Sequence, residues 1–158
     1  MAFNRFQKFL LSFVLVIVVA FALFIFIVLF SLNRAQSSPN PIIDLKINGQ
    51  TIKAEIVKSG PKMYLGLSKR PEMCAGCGML FLFPDKEIRD FVMRDMEFPL
   101  DIIFISEGKI INIDENLMPE SDPVENYYVS AEPADAVLEL NAGYCQKYNI
   151  KAGDSVIY

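Results

Sequence analysis

Between Phe9 and Leu32 the chain runs for twenty-four residues without a charge (FLLSFVLVIVVAFALFIFIVLFSL), and only Ser12 and Ser31 are polar. Such a stretch has few ways to fold. As a helix rising about 1.5 Å per residue it reaches roughly 36 Å, enough to cross a hydrocarbon core of about 30 Å with some tilt. A helix satisfies its own backbone, so lipid can surround it. A helix buried in a soluble core seldom needs so long an apolar run. Arg5 and Lys8 stand before the run with the amino terminus, and Arg34 alone follows closely. Positive residues tend to stay cytoplasmic. The expectation is an uncleaved transmembrane signal anchor over residues 9–32, a cytoplasmic segment over 1–8, and the remainder of the chain outside the cytoplasm. A cleavable signal peptide has a shorter apolar region and ends in a small-x-small site, which Asn33-Arg34-Ala35 does not supply. The first partner this predicts is the lipid bilayer.

Residues 33–41 then read as a linker, polar and twice interrupted by proline in AQSSPNP. The domain expected over 42–158 carries all 19 acidic residues and 12 of the 15 basic ones, which leaves it at −7. That balance argues against a nucleic-acid backbone as partner, because no basic surplus exists to neutralise phosphates. Between Lys109 and Lys147 eight carboxylates stand without a Lys or Arg. Their spacing does not match a calcium-binding EF-hand, so a solvated acidic face is the expected reading.

Within the domain, Ile43, Leu45 and Ile47 alternate with polar residues, as do Ile52, Ala54 and Ile56, and Asn48-Gly49 stands between the two runs. This pattern predicts a hairpin with a type I′ turn. Residues 62–70 predict a short helix ended before Pro71. Short apolar or alternating runs predict strands over 79–83, 88–93, 100–105, 109–113, 127–129, 136–140 and 155–158. Residues 114–126 read as an irregular acidic loop. Asn141 is expected to cap a helix reaching Tyr148, with Asn149 in the left-handed position after it. The fold class predicted is α+β and predominantly β: a small, mostly antiparallel, barrel-like sheet with two short helices, following the N-terminal transmembrane helix.

Several short motifs occur in one order: Gly66-Leu67-Ser68 with Arg70, Gly78-Met79-Leu80-Phe81-x-Phe83, Phe91-x-Met93-Arg94, Pro99-Leu100-Asp101-Ile102-Ile103-Phe104-Ile105, Val137-Leu138-Glu139-Leu140-Asn141-Ala142-Gly143 and Gly153-Asp154-x-Val156. Together they resemble the bacterial and archaeal family called domain of unknown function 192, over roughly residues 42–158. The resemblance implies a small β-rich domain, often exported or membrane-tethered, and supplies no reaction. The family usually has Trp-Met-Lys-Asn-Thr where this chain has Val92-Met93-Arg94-Asp95-Met96. The Cys-x-x-Cys before Gly78 looks like an addition to the family pattern.

The chain has no histidine, so neither a Ser-His-Asp nor a Cys-His catalytic pair can form, and no metal site can use imidazole. No phosphate-binding glycine loop is present. Two constellations remain. Cys74 and Cys77 can form a local disulfide, bind a metal or exchange electrons, with Cys145 as a third thiol. Structural zinc wants four ligands, so a carboxylate would have to complete the set, and no cofactor is predicted. An exported domain favours the disulfide. The second constellation is Arg70, Arg94, Asp95 and Asp101, which stand at strand and helix ends. An Arg–Asp pair there would either bind an anionic ligand or pin loops together. The functional expectation is a membrane-tethered extracytoplasmic module that binds a ligand or partner without catalysis. The alternative is a thiol redox or metal-handling protein using Cys74 and Cys77.

Overall fold

The computed structural model describes residues 5–37, 39–58, 60–121, 123 and 125–158; of the side chains in the first segment it describes Arg5 and residues 13–29. The chain divides into two compact units, Met1–Pro39 and Asn40–Tyr158. The first is one helix, α1 (Arg5–Ser37). It takes in residues 33–37, which were expected to belong to the linker; Ser38, also expected there, lies outside the described residues. Every side chain from Phe13 to Leu29 is exposed and none is charged. That described stretch is seventeen residues long, and among the described residues no helix is long and apolar enough to cross a membrane. The rest of the expected span, residues 9–12 and 30–32, lies outside the described side chains.

The second unit is mostly β. Strands β1 (Ile42–Ile47) and β2 (Gln50–Val57) form the expected hairpin, with Ile47 opposite Gln50. Asn48 and Gly49 both take positive φ, 47° and 77°, as a type I′ turn demands. The next helix, α2 (Pro61–Leu65), is shorter than the 62–70 expected. Gly66, at φ 50°, ends it, because a residue in that conformation cannot continue the helix. Strand β3 (Cys77–Glu87) then lies parallel to β2, the sole parallel pairing among the described strands. Of the run expected at 88–93 only β4 (Asp90–Phe91) is strand, and it pairs with β7 (Tyr128–Val129) in a separate ribbon.

Strands β5 (Leu100–Ser106) and β6 (Lys109–Leu117) form a second hairpin, and β8 (Ala134–Asn141) inserts between β5 and β3. The first residues of the expected acidic loop, 114–117, are therefore strand. Helix α3 (Tyr144–Tyr148) starts after Gly143, not at Asn141. Asn141 instead ends β8, and its amide donates to the carbonyls of Met73 and Cys74, each at 3.1 Å. Asn149 does take the left-handed position, with φ 52°. The last strand, β9 (Val156–Ile157), pairs with β1.

The seven-stranded order is β6-β5-β8-β3-β2-β1-β9. Its two outer strands also meet at one end. Lys109 bridges Ser155, the Ile110 amide donates to the Asp154 carbonyl at 3.0 Å, and the Val156 amide donates to the Gly108 carbonyl at 2.8 Å. The sheet is thus curled until its edges touch, which hides part of the open edge. Both faces carry a core. Leu45, Ile47, Ile52, Leu80, Ile103 and Leu138 pack on one side with Tyr144 and Cys145 of α3. Met79, Phe81, Met93, Ile102, Phe104 and Val137 pack on the other, under the segment after α2. Burial on both faces explains why β5 reads as an unbroken apolar run instead of an alternating one.

Candidate functional site

The thiols separate into two settings. Cys74 and Cys77 are joined in a disulfide in the loop that leads into β3. Cys145 is a free, fully buried thiol on α3. Burial, and then the neighbouring Asp101 carboxylate to which it donates, push its pKa up, so it stays protonated and is a poor nucleophile or metal ligand. Among the described residues no three Cys, Asp or Glu side chains converge as a metal site would require.

None of the four charged residues expected as one constellation is hydrogen-bonded or ion-paired through its side chain to another of them among the described residues. Asp101 is fully buried on β5, and none of its hydrogen bonds goes to an arginine. Its Oδ1 accepts from the backbone amides of Asn116 (2.9 Å) and Gly143 (3.1 Å), and its Oδ2 accepts from that of Cys145 (2.9 Å). It fastens the end of β6 and the start of α3 to β5, where α3's unpaired first-turn amides need an acceptor. Arg70 turns instead to Glu55 on β2, in a two-pronged pair at 2.6 and 2.9 Å. That guanidinium holds the Glu55 carboxyl below its ordinary range. Asp95 takes φ 53°, and its carboxylate is 3.9 Å from the Lys69 ammonium.

Arg94 has a different environment. Its guanidinium lies 4.1 Å above the Tyr64 ring and donates to the Tyr64 carbonyl at 3.3 Å. No carboxylate pairs with it among the described residues. Its backbone is held from two sides: the Ser68 hydroxyl donates to its carbonyl at 2.9 Å, and the residue itself bridges Glu120.

Arg94 stands at the rim of a cavity of about 490 Å³. One wall is α2 with the loop that follows it, from Met63 to Ser68. Another is the segment from Glu87 to Arg94, and Phe81 and Phe83 of β3 lie between them. Phe91 meets Phe81 edge-on at 5.0 Å, which fixes the orientation of both rings. Gly66 stands beside them with a positive φ of 50°, a conformation that side chains other than glycine rarely adopt.

Glu139 of β8 also lines this cavity. It is 5% exposed, and its Oε2 has no hydrogen-bond partner. Burial raises its pKa to about 8, against the opposing pull of the Arg70 charge. Near neutral pH it is a carboxylic acid able to donate and accept, in a wall it shares with the rings of Phe81, Phe83 and Phe91 and with the polar side chains of Ser68, Asp90 and Arg94. An unsatisfied buried polar atom costs about 1–3 kcal/mol, which a bound group could offset. The expected site residues did not include it. The available signal was a carboxylate in the middle of the apolar run Ala136-Val137-Leu138-Glu139-Leu140.

The curled β-sheet thus carries a pocket lined by α2, the Glu87–Arg94 segment and β3. The chain belongs to the DUF192 family, described as "Uncharacterized ACR", whose profile matches residues 43–158. It is similar to a solved protein of unknown function from Novosphingobium aromaticivorans DSM 12444, at 31% identity and a TM-score of 0.71, over 77% of this chain and 89% of that one. It is also similar to a solved protein from Sinorhizobium meliloti 1021, described as a "putative transcription regulator", at 30% identity and a TM-score of 0.70, over 77% of this chain and 96% of that one. No curated protein matches the chain.

Proposed function

We propose that this chain is a membrane-tethered, extracytoplasmic ligand-binding module, which takes a small molecule in the pocket between α2 and the Glu87–Arg94 segment. The observation that carries the reading is Glu139: a buried carboxyl group, one oxygen of which lacks a hydrogen-bond partner, lining a cavity with several aromatic rings that is large enough for a small ligand. Glu87, Asp90, Ser68, Tyr64 and Tyr127 also line the pocket, but none of them is hydrogen-bonded to Glu139 among the described residues, and with no histidine in the chain the reading favoured is binding. Tethering is supported by the uncharged run from Phe9 to Leu32 within α1, and its direction by Arg5 and Lys8 before the run. The Cys74–Cys77 disulfide supports an oxidising compartment for the domain.

Two measurements test this. Methyl NMR of the methionines should show saturable shifts at Met63 and Met96, which line the pocket, when a library of small ring compounds is titrated. A library that moves neither methyl would refute the pocket as a ligand site. The full chain should stay in the membrane fraction through alkaline extraction, while residues 40–158 alone should be released; release of the full chain would refute the anchor.

A further inference from the structure

We propose that the pocket's occupant is a small organic acid with a ring-bearing apolar body, held as its anion by Arg94 while the body lies against Phe81 and Phe91 and its far end meets Glu139. The inference rests on the pocket being a ligand site and names what that site selects.

Most of the positive charge near the pocket is already spent. Arg70 is committed to Glu55 in a two-pronged pair. Arg89, in the same lining segment as Arg94, pairs with Asp85 and Glu87 and lies 4.0 Å above the Phe83 ring. Arg94 is the lining cation with no carboxylate partner among the described residues. Its hydrogen bond to the Tyr64 carbonyl occupies one of the five donors a guanidinium carries. The ring beneath it holds it in place, so its free edge is preorganised for a planar anion.

A ligand cation fits the same geometry poorly. An aromatic cage binds a cation through exposed ring faces, and here two faces at the rim, those of Tyr64 and Phe83, are already covered by guanidinium groups. The deeper rings, Phe81 and Phe91, meet edge to face and offer apolar contact to a flat body.

Glu139 would oppose an anion if it were ionised. Burial keeps it neutral near pH 7, with its pKa raised to about 8. The charged and titratable groups around it are Arg70 with Glu55 from β2, Glu87 at the end of β3, Arg89 and Asp90 beside and on β4, Arg94, and the Tyr64 and Tyr127 hydroxyls. Ionising Glu139 would place a negative charge in the same cavity as the ligand's. An anion that binds only the protonated form should lose about tenfold in affinity between pH 7 and pH 9 when the group titrates near 8.

The test uses the full chain in detergent micelles, with three water-soluble probes of one shape: benzoate, benzamide and benzylammonium. Binding is read from the Met63 and Met96 methyl resonances, with the exposed Met118, which is not among the pocket-lining residues, as control. Benzoate should bind most tightly at pH 7. Arg94→Gln should weaken it at least tenfold, and Arg94→Lys, which keeps the charge, should weaken it less. Glu139→Gln should hold benzoate affinity within threefold from pH 7 to pH 9, where the unaltered chain loses about tenfold. Tighter binding of benzylammonium or benzamide, indifference to Arg94→Gln, or a tenfold pH effect surviving in Glu139→Gln would each overturn the inference and leave the pocket standing. Silence of both methyls to all three probes would overturn the inference and the pocket reading together.

Discussion

Glu139 makes a stability prediction that is independent of any ligand. In the folded chain its carboxyl titrates at about 8, against an ordinary value of 4.5. Between those values the native protein keeps a proton that the unfolded chain has released. Stability therefore falls as pH rises through this window, by about 1.4 kcal/mol per unit. The contribution is fully present below about 4.5 and has been lost once the pH passes about 8. Glu139→Gln keeps the shape of the side chain and removes the titration. The variant's stability relative to the parent should thus rise by about 2–3 kcal/mol between pH 5 and pH 7, and level off above pH 8. Taking the difference cancels the other carboxylates, and the Arg70–Glu55 pair persists in both proteins. The assay is urea unfolding followed by far-UV circular dichroism from pH 5 to pH 9, on residues 40–158, the compact unit that contains both cores. Equal m-values in parent and variant are required for the comparison. A difference constant to within about 0.5 kcal/mol across that range would show that Glu139 is not held protonated by burial, and the reasoning would fail.

Asp101→Ala should cost about 3–6 kcal/mol, since three amides lose a buried acceptor at about 1–3 kcal/mol each with partial relaxation; hydrogen exchange should accelerate at the Asn116 and Cys145 amides, and unchanged protection there would contradict the role. Gly78→Ala should cost about 1–3 kcal/mol, because a Cβ would meet Leu140 Cδ2 at 2.8 Å and the Glu139 carbonyl at 3.0 Å; a melting temperature equal to the parent's would show that β3 and β8 can part at no cost. Non-reducing mass spectrometry of the chain purified without reductant should show the two-proton loss of one disulfide, with Cys145 alkylated after denaturation only; three thiols alkylated in the native chain would refute both assignments.

The sheet was legible where local chemistry decided it. Asn48-Gly49 set the first hairpin because two successive positive φ values suit few other dipeptides, and Asn149 marked its helix end for the same reason. Where tertiary contacts decided, the local signal misled. Asn141 looks like a helix cap, yet its amide is spent on the Met73 and Cys74 carbonyls, and α3 is started by Gly143 with Asp101 as the acceptor from a different strand. The site was obscured for a related reason. Arg70, Arg94, Asp95 and Asp101 stand at element ends, where charged residues gather whether or not they bind anything, and three of the four turned out to be engaged with Glu55, Lys69 and backbone amides. A charge at an element end is cheap, because water or a neighbouring loop satisfies it. A carboxyl in the middle of a strand buried on both faces is costly, because no solvent reaches it. Glu139 therefore carries more information than any of the four, and Arg94 gains its meaning from lining the cavity that Glu139 also lines.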